Sequence, residues 1–167
     1  EAENNTTELL SKITEQNNSL IMLIQMLANT GINIVPLLEM LGNTITVISD
    51  TVTQMYQYSD NNNPDNKLKG IVYAPNLETV ESRSIDDNSG MTTIIMPKVK
   101  TIKSQGFWAS YGLKTVFIPN ACTSLATNAF SMCGNLTNIY IDNVEGTFGD
   151  IAADSSLPNL KVTYLKK

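Results

Sequence analysis

Residues 75–165 repeat themselves every 22 or 23 positions, and this periodicity restricts the fold more than any other feature of the chain. Pro75, Pro97 and Pro119 are spaced 22 residues apart, and Asp142 takes the equivalent place 23 residues later. Between them the apolar positions recur in register. The first column is Leu77, Val99, Cys122 and Val144; the second is Val80, Ile102 and Leu125; the third is Ile85, Phe107 and Phe130. Met91, Leu113 and Leu136 follow, then Ile94, Val116 and Ile139, then Met96, Ile118 and Ile141. A fourth unit is degraded, with Ile151, Leu157, Leu160 and Val162 one residue early. Such a unit forms one coil of a stack. Each coil leaves an apolar face bare until a neighbour covers it, and the last must be atypical because its outer face meets water. The run before each proline implies a short strand, about 4.8 Å from the strand of the next coil. Proline then ends the ladder and turns the chain.

The first 58 residues carry a different period. Leu38, Leu41, Ile45, Ile48, Val52 and Met55 are separated by alternating steps of three and four, the spacing of a heptad seam. Ile34 extends it backwards, and Pro36 is tolerable in a first helical turn. Upstream, Leu9, Ile13, Gln16, Leu20, Leu23 and Leu27 make a second seam in a different phase. The break falls at Asn29-Thr30-Gly31, where glycine ends helices well. A helix hairpin and a broken rod both fit. Ile45 and Ile48, at a and d, lean towards three strands. Residues 59–67 hold no apolar side chain and read as a linker. The expected fold class is α+β: an N-terminal helical coiled-coil stalk over 1–58 (broken near 29–36), then a short β-solenoid over 68–167 with an irregular C-terminal cap.

Composition narrows the chemistry. Charged residues make up only 16% of 167, while Asn and Thr number 19 and 18. Histidine is absent, which removes imidazole bases, His-based triads and most zinc and haem sites. Residues 1–58 carry one base and six acids; residues 59–167 carry ten of each. Neither half presents the positive field that nucleic acid or an anionic membrane requires. The longest apolar run, Leu20 to Leu27, is too short to span a bilayer, and no signal peptide is visible. No cofactor or metal is expected.

The unit from Pro119 to Ile141 resembles the BspA-like leucine-rich repeat. Ala129, Phe130, Cys133, Leu136 and Ile139 match its Ala-Phe-x-x-Cys-x-x-Leu-x-x-Ile hallmark. The resemblance covers roughly residues 70–165 and thins towards the first unit, where Ile85 replaces the aromatic residue. It implies a solenoid used in bacterial surface adhesins and in phage and other surface-exposed proteins, and it implies binding rather than catalysis. A heptad rod ahead of such a domain also looks like a bacteriophage fibre or spike subunit.

Little else carries chemistry. Cys122 and Cys133 occupy repeat columns and read as buried, unreactive thiols; a disulfide between them would bridge two columns of one coil. Asp86-Asp87-Asn88 has calcium-ligand residue types without a closing glutamate, so a polar turn is expected. Lys98, Lys100 and Lys103 form a small basic spot on a coil edge.

One ladder stands out. Strand alternation sends Tyr73, Ile95, Phe117 and Tyr140 outward, in line with Thr163, roughly 5 Å per step. It fits ordinary cross-strand packing, a contact with a second subunit or the stalk, or a receptor or glycan platform. Trp108 is a second anchor candidate.

The expected function is a non-enzymatic attachment protein. The favoured form is a homotrimeric phage fibre on the virion surface. Its helices would self-associate through Leu20, Leu23, Leu27, Leu38, Leu41, Ile45, Ile48, Val52 and Met55 and join other virion proteins. Its repeat head would adhere to a host-surface protein or glycan. The alternative is a BspA-like adhesin on the bacterial cell surface.

Overall fold

The computed structural model describes residues 2–42, 44–55 and 68–167. In chain order these form α1 (Ala2–Ala28), α2 (Val35–Met40), β1 (Ile45–Val47), β2 (Gln54–Met55), β3 (Gly70–Tyr73), β4 (Thr79–Val80) and β5 (Met91–Ile95). There follow β6 (Thr101–Ile102), β7 (Thr115–Ile118), β8 (Ser124–Leu125), β9 (Asn138–Val144), a 3-10 turn (Ile151–Ala153) and β10 (Lys161–Lys166).

Every strand pairs in parallel with the strand one coil away, which makes a β-solenoid of about five turns. One side holds β1-β3-β5 and β7-β9-β10; Lys114 N–H donates to Thr92 O at 3.0 Å between the two groups. A second side holds β2-β4-β6-β8. The third side has turns, linked by Ile85 N–H to Gly106 O and Phe107 N–H to Ala129 O, both 2.9 Å. Its corner is set by Asp87, Ala109 and Met132, all left-handed with φ of 54°, 55° and 65°. These occupy the same place in successive coils. Each such residue costs about 1–2 kcal/mol, so the turn is maintained by the packing around it.

The repeat columns become the core. Among the columns named above, every residue of the first three units is buried. Each buried large aliphatic or aromatic side chain stabilises by about 1.5–3 kcal/mol relative to exposure. Val144 departs from the pattern and is exposed. Without a proline at Asp142, β9 runs on to Val144 and pairs with Lys166 past a bulge.

The second heptad seam is not a helix, and the coiled-coil stalk is corrected accordingly. α1 does end at the expected break: Thr30 and Gly31 N–H bond back to Leu27 and Ala28 O, and Gly31 takes φ +85°. α2 accepts Pro36 in its first turn but stops at Met40. Leu41 and Gly42 N–H close on Leu38 and Glu39 O, with Gly42 at φ +71°. The chain then enters the solenoid. β1 pairs with β3 (Ile45↔Ile71, Val47↔Tyr73) and β2 with β4 (Gln54↔Thr79, Met55↔Val80). Ile48 and Met55 lie in the solenoid core with Val52 packed against them; Ile45 is partly buried and Leu41 exposed.

The cause is a coincidence of spacing. Leu77–Val80, Val99–Ile102 and Cys122–Leu125 are each three apart, as an a-to-d step is; Val52–Met55 is the same pair one coil earlier. Five consecutive β-branched residues, Thr44 to Ile48, favour strand over helix. With Ile45 on a strand and Ile48 in the core, the argument for three helical strands has no basis. The linker over 59–67 lies outside the described residues.

Both helices lie against the outward face of the long-strand side. Ile24, Ala28, Ile34 and Leu38 form a second apolar cluster with Ile71 and Ile95. α1 also contacts β7.

Candidate functional site

The expected ladder forms in register. Tyr73 pairs with Ile95, Phe117 with Tyr140, and Tyr140 with Thr163. Its centre is not open: Ile95 is 1% exposed and Phe117 3%. α1 and α2 cover Ile95, and Tyr73 is half-buried at the edge of the same cluster. Of the three readings of this face, contact with the chain's own helices is the one present. Sequence periodicity put the ladder outward but could not show which segment folds back over it. The helix–sheet contact is imperfectly matched, because Gln25 Nε2 on α1 and Thr93 Oγ1 on β5 are buried without a partner.

Trp108 lies away from the ladder, on the turn side. The Arg83 guanidinium sits 3.9 Å from its ring centroid, and Arg83 Nε donates to Gln105 Oε1 at 2.9 Å. The indole is thus capped by a cation. The lysine spot is distributed over coil edges: Lys98 Nζ donates to Asn76 Oδ1 at 2.8 Å, Lys100 pairs with Glu78 at 3.2 Å, and Lys103 with Glu81. Each partner lies 22 residues upstream. These exposed pairs contribute little stability.

The hallmark cysteine column is a column of donors. Cys133 Sγ donates to Phe107 O at 3.0 Å, Ser110 Oγ to Ile85 O at 2.7 Å, and Asn88 Nδ2 to Asp86 O at 3.1 Å. Both cysteines are free. Burial pushes the Cys122 thiol up to about 11 and Cys133 up to about 12. For Cys133 a backbone bond at Ser110 opposes the rise and the charge of Asp154 adds to it. Such thiols are neutral near pH 7 and poor nucleophiles. Among the described residues no three Cys, Asp or Glu side chains gather as a metal site, and no helix is long and apolar enough to cross a membrane.

The most enclosed unassigned concavity lies where the α1–α2 turn arches over the proline corner. It has a volume of about 590 Å³. Ala28, Ile32, Asn33 and Val35 line it from the helical side; the first three coils supply Ile48, Asp50, Tyr73, Pro75, Asn76, Pro97 and Lys98. Asp50, Asn76 and Lys98 form a connected rim: Lys98 bonds Asn76, whose Nδ2 donates to the Asp50 backbone carbonyl at 2.7 Å. Burial raises the Tyr73 phenol above its ordinary value of 10.0. The Asn76/Lys98 column was visible directly after Pro75 and Pro97. Asp50 was hidden because its segment imitates a helix.

The first α1 seam remains on the surface. Leu9, Leu20, Leu23 and Leu27 are all exposed, Leu23 by 54%, and Gln16 is exposed with them. The side chain of Ile13 lies outside the described residues. At 100° per residue this seam sits roughly a third of a turn from the Ile21/Ile24/Ala28 face that meets the sheet.

Comparison with known families gives one match: the model of the BspA type leucine rich repeat region fits residues 43–163 in six copies. It begins a coil earlier than the resemblance over 70–165, at the segment that becomes β1 and β2. Neither the curated proteins nor the solved structures give a match.

Proposed function

We propose, for a chain that belongs to the BspA-type leucine-rich repeat family, a non-enzymatic role as a binding module displayed on a cell surface. The observation that carries this is the family repeat itself, which spans 43–163 as one continuous hydrogen-bonded stack; repeats of this type are often used in surface adhesion. The chemistry agrees with it, since histidine is absent and both thiols are buried and held protonated. The virion-fibre reading drew on a long rod, and the rod's second half is solenoid here, so the cell-surface adhesin fits the fold better. Flow cytometry of intact bacterial and animal cells with the fluorescently labelled full chain tests it. Saturable retention, lost on heat denaturation of the chain, is expected. Retention on no cell type, or equal retention of denatured chain, removes the reading.

The module self-associates through the outer seam of α1. Four large apolar side chains at heptad spacing, exposed on a helix whose neighbouring face is already packed, fit a second helix of the same spacing. Sedimentation measures this directly. The full chain is expected to form a dimer or higher species at micromolar concentration. Leu20→Ser, Leu23→Ser and Leu27→Ser together should yield a monomer with unchanged strand content.

A further inference from the structure

The proline-corner cleft is a saccharide site, as we infer from its lining; this rests on the adhesive reading above and names a ligand for it. The volume of about 590 Å³ falls in the range of small-ligand pockets, roughly 300–1,000 Å³. Its apolar lining includes Tyr73, Pro75 and Pro97, and its polar lining includes Asp50, Asn76 and Lys98.

These three polar residues stand at the same corner of three successive coils, so they span two coil steps, roughly 10 Å. Asn76 is locked by bonds to both neighbours. That holds the rim rigid and reduces the entropy lost on binding. Asp50 uses only its backbone carbonyl in this chain; its carboxylate has no hydrogen bond among the described residues. The Lys98 ammonium has three N–H groups and donates one to Asn76. A ready acceptor and a ready donor therefore share one rim with compensating charge.

That combination discriminates between ligand classes. A phosphate or sulfate would meet the Asp50 carboxylate with like charge. A wholly apolar ligand would strip water from both charges and return no bond. A sugar ring meets each requirement. Its hydroxyls donate to Asp50 and accept from Lys98, and its C–H face packs on proline and tyrosine carbons. With no net rim charge, an uncharged mono- or disaccharide is favoured.

Saturation-transfer NMR on the full chain tests this with glucose, galactose, N-acetylglucosamine, maltose and lactose at millimolar concentration. Transfer to at least one sugar is expected, and Asp50→Ala and Lys98→Ala should each weaken it at least tenfold. Asp50→Ala keeps the backbone carbonyl that Asn76 needs, and the thermal melt of each variant checks folding. No transfer to any of the five, or transfer undiminished in both variants, overturns the assignment. If cells retain the chain while no sugar shows transfer, the cleft assignment fails and the adhesive reading stands. If retention is absent as well, both fail.

Discussion

Phe107 and Phe130 stack across neighbouring coils, with ring centroids 5.0 Å apart and planes 10° from parallel. Both are fully buried, and Ile85 holds the equivalent place one coil earlier. Phe130→Ala is expected to destabilise the fold by about 3–5 kcal/mol, the usual cost of deleting a core phenylalanine. Denaturant unfolding of wild type and variant measures it. A loss under about 1 kcal/mol would mean that the column is not packed as described.

The two thiols should be silent in the native state. A thiol-specific disulfide reagent at pH 8 is expected to label neither cysteine in folded protein and both in denaturant. A thiol whose folded pKa is raised favours the fold while the unfolded thiol remains protonated, below the ordinary value of 9.0. This contribution is lost as pH climbs from 9 through about 11 to 12. Cys133→Ser retains a donor towards Phe107 O, as Ser110 provides for Ile85 O, and is expected to be milder than Cys133→Ala. Leaving that buried carbonyl without a partner costs about 1–3 kcal/mol.

Asp154 sets an acid response. Burial pushes its carboxyl up, but bonds from Ser131 Oγ, Ser156 Oγ and Ser156 N–H together hold it below the ordinary 3.8. A depressed carboxylate stabilises the fold above the unfolded value and loses that contribution as pH falls through its folded value. Asp154→Asn is therefore expected to lower the melting temperature at pH 7, with the gap to wild type closing below about pH 3.8. A gap independent of pH would show that the charge is not involved.

α1 is held by an apolar cluster separate from the solenoid core. Ile24→Asp places a charge in that smaller cluster, and is expected to accelerate proteolysis in 28–34 at least several-fold. The main melting transition should remain. Simultaneous collapse of the repeat region would show that the helix is integral to it.

Gly112 marks the closest approach of two coils, because a Cβ there would collide with the Ser89 carbonyl oxygen. Gly112→Ala is expected to cost about 1–3 kcal/mol, as overpacking does, read from the same unfolding curves.

The sequence reading succeeded where one cause dominates. A strict 22-residue period places Ile94, Val116 and Ile139 on one another before any coordinates exist, because hydrogen-bonded stacking leaves no other register. It failed where two causes give the same spacing. Val52 and Met55 satisfy a heptad and a coil equally, and only pairing with β4 decides between them. Ile95 and Phe117 were placed on the outer face correctly, yet their burial depends on α1 returning across the sheet. No local pattern encodes that return. The cleft was half visible for the same reason: Asn76 and Lys98 follow prolines one period apart, whereas Ile32 and Asn33 reach it only through the tertiary fold.

The left-handed corner at Asp87, Ala109 and Met132 makes every storey of the stack self-sufficient in its own bend. A stretch of DNA encoding one storey can therefore be copied or deleted in frame, and the tower grows or shrinks by a fixed increment. Height above whatever carries it becomes a quantity that recombination tunes in whole steps.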